Sequence, residues 1–189
     1  MKRFVSSFAL LALAPAISFA QAAPAAAPAA APAPSTSPVA DAVRAGLARF
    51  SKNMAAAADA MPADKFSFKP TPDQSTFAHL TIHIAESNNL FCSKLAGVAA
   101  PDVPKLAETD SKDKLVAAVK GSFDFCSTAL AKLDDSHFND SVTLFGNNSF
   151  SRARVILMTS SSWADHYSAQ SMYLRLNGVL PPTAQPAAH

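Results

Sequence analysis

What this chain lacks narrows it quickly. Its two cysteines, Cys92 and Cys126, do not form a CxxC pair, which excludes a thioredoxin-like redox motif. No cysteine follows the apolar N-terminal run, so there is no lipobox for lipid attachment, and no CxxCH motif is present for covalent haem. Beyond that run no segment is long and apolar enough to span a membrane. Basic clusters are missing too. Without Lys2 and Arg3 the 16 basic residues fall to 14, equal to the 14 acidic ones. A formally neutral domain offers no electrostatic footprint for nucleic acid. Strand signals are nearly absent, and no unit repeats.

What is present begins with an export signal. Lys2 and Arg3 form a basic start, residues 4–17 an apolar core too short for a bilayer, and Ser18-Phe19-Ala20 a small-residue cleavage site. Residues 1–20 therefore read as a signal peptide cleaved near Ala20, which makes the protein periplasmic or secreted with no membrane attachment after cleavage. Residues 21–37 are almost entirely Ala, Pro and Ser, which leaves nothing to bury and reads as a disordered spacer. Residues 38–182 have the size of one domain, and residues 183–189 read as a flexible tail.

Four helical segments account for that domain. In residues 38–60, Val43, Leu47, Phe50 and Met54 recur on one helical face. Residues 75–96 carry Phe77, Leu80, Ile84, Phe91 and Leu95, with Gly97 as the stop. Ser111 is a good N-cap for a third helix reaching Leu133, with Leu115, Val119, Ser122, Cys126 and Leu130 at helical spacing. Residues 134–148 are polar and rich in turn formers. The last helix starts near Ser149 or Ser151 and ends at Asn177-Gly178. The pattern predicts an all-α four-helix bundle.

The cysteines set its topology. In an oxidising compartment a lone pair is a disulfide candidate. Counted from Ser75 and Ser111, Cys92 and Cys126 lie about 17 and about 15 residues into their helices, level within about 3 Å if the helices are parallel. An antiparallel hairpin would separate them by roughly 15 Å along the axis. The 13-residue connection 98–110 spans about 43 Å when extended, enough to return along a helix. A Cys92–Cys126 disulfide between parallel helices is the expectation. With helices 2 and 4 antiparallel, His83 and His166 also come to similar levels, and the order is up-down-down-up.

Three stretches carry a family resemblance. MPADKFSFKPTPDQSTFAHLTIHIAESNNLFCSKLAG (61–97), GSFDFCSTAL (121–130) and HYSAQSMYLRLNGVLPP (166–182) resemble, in order, segments of the DinB/YfiT-like four-helix bundles. The resemblance implies a divalent-metal site, typically one histidine on helix 2 and two on helix 4, and in some members hydrolase or thiol-transferase activity. His83 matches the helix 2 ligand and His166 the last helix 4 ligand, but Ser162 stands where the middle histidine is expected. A hydroxyl is a poor ligand for zinc or nickel, so any such ion should be weakly held. His79, one turn before His83, and Glu86, three after it, are the substitutes the spacing allows. Asp165, adjacent to His166, should point away from it.

Each of these residues has a plainer reading. A histidine on a half-buried helix is usually a hydrogen-bonded interior residue, and His79 reads as solvated surface. Trp163, Tyr167 and Tyr173 read as core or rim packing, and Arg175 as a partner for the last helical carbonyls. Two histidines on facing helices could also ligate haem, a reading the resemblance disfavours. Two functions stay open: a metal-assisted enzyme, in which the ion activates a water or orients a thiol, and a binding or structural bundle that has lost its metal. The expected partner is a small molecule of unidentified class, with homodimerisation left open.

Overall fold

The computed structural model describes residues 34–186. The expected signal peptide, residues 21–33 of the spacer and residues 187–189 of the tail lie outside the described residues. Four helices dominate: α1 (Pro38–Ala60), α2 (Phe77–Ala96), α3 (Lys112–Ala129) and α4 (Arg152–Leu176). Among the described residues none of them is long and apolar enough to cross a membrane.

Side-chain oxygens fix where the helices begin. Thr76, Ser111 and Ser151 accept hydrogen bonds from His79 N, Lys114 N and Arg154 N, the third residue into each helix. Helix α2 thus starts two residues later than the apolar pattern predicts. Gly97 ends it in the left-handed region (φ 68°), where a side chain would be strained. The N-terminus of α1 is capped from far along the chain: the Asp135 carboxylate accepts from Val39 N (3.1 Å) and Ala40 N (2.9 Å). Helix α3 stops at Ala129 rather than Leu133; beyond it Leu133 N donates to Leu130 O (3.1 Å), and Arg44 of α1 donates to Leu133 O (2.7 Å).

The interhelical contacts establish direction. Asn88 donates to Ser122 Oγ (3.0 Å), and one turn further on Cys92 is bonded to Cys126, with Cα atoms 5.2 Å apart. Equal steps along both helices mean that α2 and α3 are parallel, as the cysteine levels require. Asn88 meets Trp163 while His83 meets His166, so α2 and α4 are antiparallel. Phe50 packs on Trp163, and Gln170 donates to Met54 O (3.2 Å), making α1 and α4 parallel. The order is up-down-down-up. Helices α1 and α2 sit on opposite corners, each against α3 and α4.

The core follows the predicted faces. Val43, Leu47, Phe50 and Met54 of α1 are buried against Leu95, Val119, Phe123 and the fully enclosed Trp163. A second apolar cluster at the other end gathers Met61, Phe66, Phe77, Leu115 and Leu174. Leu80 is only half-buried, between the two.

One element departs from the all-helical expectation. Across the end of the stretch that reads as a polar connection and the expected start of the last helix, β1 (Ser141–Leu144) and β2 (Asn148–Ser151) form an antiparallel hairpin, registered from Ser141↔Ser151 to Leu144↔Asn148. Val142 and Leu144 turn inward and are buried while their neighbours face solvent, the period of two that defines a half-buried strand. The turn needs a left-handed backbone at Phe145 (φ 52°) and Gly146 (φ 78°), which glycine accepts and phenylalanine does not favour. At the other end, a short turn (Pro182–Ala184) closes back on the bundle. Tyr167 Oη donates to Thr183 Oγ1 (2.9 Å) and accepts from Thr183 N (3.1 Å), so the packed domain extends beyond Pro182.

Candidate functional site

The antiparallel seam of α2 and α4 brings His83 and His166 together. Their rings meet edge to face with centroids 4.9 Å apart. Each imidazole also has a hydroxyl one turn away on its own helix: Ser162 Oγ is 3.3 Å from His166 Nδ1, and Ser87 Oγ is 3.5 Å from His83 Nε2. Spacing of four residues stacks each pair on one face, and opposite helix directions place the pairs at one level. The four residues line an open cleft of about 580 Å³. His83 is exposed and His166 half-buried, so the cleft is a surface feature rather than an interior pocket.

The rest of the cleft lining combines apolar side chains with two carboxylates. Leu90, Phe91, Met158 and Phe145 form the apolar wall, with Phe145 edge-on to Phe91 at 6.1 Å. Phe145 reaches the cleft only because the hairpin turn holds it there. The sequence carries no signal for that placement, since the turn itself reads as a connection. Glu86 and Asp165 also line the cleft. Asp165, expected to point away from His166, is exposed and lines the same open cleft. Burial, reinforced by His83, lowers the pKa of His166 below the usual histidine value, and the Asp165 carboxylate opposes this. His166 is thereby biased toward the neutral form, the one that offers a lone pair.

The other candidates lie elsewhere. His79 is exposed and pairs with Glu108 (3.2 Å) at the N-terminus of α2, so it is not drawn toward α4. His137 pairs with Asp140 (3.0 Å) beside the hairpin. Trp163 donates from Nε1 to Asn88 Oδ1 (2.8 Å) in the core, and Tyr173 Oη donates to Ser75 O (2.6 Å), so both aromatics are structural. Arg175 donates to Ser171 O (3.5 Å) within its own helix, near the expected carbonyls.

The donor set can be tested against a metal ion from these positions. Two imidazoles face one another, and each keeps one ring nitrogen without a hydrogen-bond partner among the described residues. A third strong donor does not join them. Among the described residues no three His, Cys, Asp or Glu side chains converge in a metal-holding arrangement, and the position next to His166 is filled by the Ser162 hydroxyl. The residues fit a two-imidazole contact and do not fit a three-ligand protein site.

A model of the DinB superfamily matches residues 46–168, which span α1 to the middle of α4. The chain belongs to the DinB superfamily. Two solved DinB-like proteins share the fold. The one from Bacillus subtilis superposes with a TM-score of 0.61 at 20% identity, covering 77% of this chain and 99% of its own. The one from Bacillus cereus ATCC 10987 gives 0.61 at 11% identity, covering 75% and 95%. A mycothiol-dependent maleylpyruvate isomerase, solved as a histidine-to-alanine mutant, gives 0.55 at 12% identity, covering 68% of this chain and 59% of that one. At these identities the likeness is one of fold. No curated protein matches the sequence significantly.

Proposed function

We propose that this DinB-superfamily bundle is a binding module whose α2/α4 cleft holds a divalent ion, zinc or nickel, weakly through His83 and His166. The observation that carries this reading is the pair of facing imidazoles, 4.9 Å apart between ring centroids and without a third strong protein donor among the described residues. Two imidazoles supply the right ligand chemistry, and water or a bound small molecule would fill the remaining positions. Hydrolase or thiol-transferase chemistry of the kind the family suggests ordinarily rests on a fuller protein ligand set, so binding is the better-supported role. We further propose that the protein is exported and works in an oxidising compartment, a reading supported by the buried Cys92–Cys126 bond.

Metal titration tests the proposal. Zinc and nickel affinities are measured with a competing indicator for the wild type, Ser162→His and His166→Ala. Restoring an imidazole one turn from His166 should tighten binding by about tenfold or more, because a neutral nitrogen ligand replaces a hydroxyl. Removing His166 should weaken it. Equal affinities in all three proteins would mean that the cleft is no metal site.

A further inference from the structure

A second cavity opens on the other side of α2, toward α3. Its walls are α2, α3 and the connection 98–110 that returns the chain between these parallel helices, and its volume is about 440 Å³. This lies within the roughly 300–1,000 Å³ of small-molecule sites. The interior surface is apolar, formed by Ala85, Ala118, Phe125 and Leu106. The chain does nothing to fill it. Gly121 stands in the middle of α3, where glycine weakens a helix relative to alanine, and a Cβ added there would meet no atom within 4 Å. A side chain at this position would occupy the cavity, and the glycine leaves it open.

The polar groups around this cavity are unevenly satisfied. Asn89 lines it, and its Oδ1 is buried with no hydrogen-bond partner among the described residues. A buried acceptor left unpaired is costly. The donor the side chain offers a ligand is its Nδ2, which makes no hydrogen bond among the described residues and is not among the buried unpaired atoms. Two ammonium groups stand at the cavity, Lys105 on the connection and Lys114 on α3. Lys114 is held by Asp110 (2.8 Å), whereas Lys105 makes no ion pair among the described residues. The exposed Glu86 is the carboxylate in the cavity lining itself.

We propose that this cavity is a binding site for an apolar carboxylate. The hydrocarbon part lies between α2 and α3, the carboxylate pairs with Lys105 at the mouth, and the Asn89 amide donates to it. Charge selects the class: with Lys114 held by Asp110, Lys105 is the cation at the cavity that makes no ion pair among the described residues, which favours an anionic head group, and the apolar walls disfavour a small hydrophilic anion.

A fluorescent probe of that class, 11-(dansylamino)undecanoic acid, tests the site in the full-length chain, with its methyl ester as the uncharged control. The wild type should bind the acid saturably and more tightly than the ester. Lys105→Ala should weaken acid binding about three- to tenfold, the range for a partly exposed charge-assisted contact, and leave the ester unchanged. Gly121→Leu should abolish binding of both probes while its urea midpoint stays at or above that of the wild type, which shows that the variant is folded. Equal binding of acid and ester, unaffected by Lys105→Ala, would overturn the carboxylate assignment. Undiminished binding to folded Gly121→Leu would overturn the site, and loss of that binding on His166→Ala would move it to the α2/α4 cleft.

Discussion

Cutting the link between α2 and α3 should be the most damaging single covalent change to the bundle. Cys92 and Cys126 are 34 residues apart in sequence, and the loop they close includes the whole returning connection. In the chain-entropy account, cross-linking a loop of this length removes about 13 cal/mol/K from the denatured chain, or about 4 kcal/mol at 25 °C. Both cysteines are fully buried among Phe91, Leu95, Val119 and Phe123. Replacing both with alanine therefore adds about 1 kcal/mol for each void the size of a methyl group. Urea unfolding of three samples separates the two effects: oxidised wild type, wild type unfolded and refolded with reductant, and Cys92→Ala/Cys126→Ala. The reduced protein keeps its sulfurs and should lose about 4 kcal/mol, equivalent to roughly 8–16 °C in Tm for a domain of this size. The double variant should lose somewhat more. Both should show a larger urea dependence than the oxidised protein, because the uncrosslinked denatured chain exposes more surface. A reduced protein within about 1 kcal/mol of the oxidised one would refute the reasoning, as would two reactive thiols in protein purified from its native compartment.

Three further outcomes follow from the geometry. Asn88 is 2% exposed and bonds both Trp163 and Ser122; Asn88→Ala strands the indole N–H and should cost about 2–3 kcal/mol in urea unfolding, a loss below about 0.5 kcal/mol showing that the network adds little. Asp135→Ala removes the distant cap of α1 and should cost about 1 kcal/mol, with hydrogen exchange speeding first at the start of α1; unchanged protection there would contradict the cap. His166 has its pKa lowered in the fold by burial and by His83, so with chelator present its contribution to stability is complete above the unfolded value of about 6.5 and is lost as pH falls through the folded one. Urea midpoints of the wild type should therefore fall more steeply from pH 7 to 5 than those of His166→Gln, and parallel curves would remove the effect.

The parts of the bundle legible in the sequence are those set by period and by chain geometry. The α1 stripe Val43, Leu47, Phe50, Met54 is buried as spaced, since a helix with one apolar side has one way to face a core. Parallel α2 and α3 follow from the levels of two cysteines and the reach of one connection, both of them lengths along the chain. The same levels bring His83 to His166. The hairpin at 141–151 is harder to read because its inward set is only Val142, Leu144 and the half-buried Phe150, three residues in a short stretch rich in turn formers. Its turn shapes the cleft wall through Phe145, so missing the hairpin means missing part of the site.

The cleft's exposure is also hidden from the sequence, because helical spacing tells which residues share a face and not how deep that face lies. Asn88 shows the same limit from the core side. Nothing in HIAESNN (83–89) distinguishes it from its neighbour Asn89, yet one residue of rotation on α2 separates their fates. Asn88 turns inward and ties Trp163 to Ser122, while Asn89 turns toward α3 and leaves Oδ1 buried and unpaired beside an unfilled cavity. A rotation of about 100° per residue thus assigns His83 to one cleft, Asn88 to the core and Asn89 to the other cavity. Glu86, on the outer ridge of α2, borders both cavities. One helix therefore lines two cavities, and on the two proposals made above changes at His83 and at Asn89 should affect different ligands.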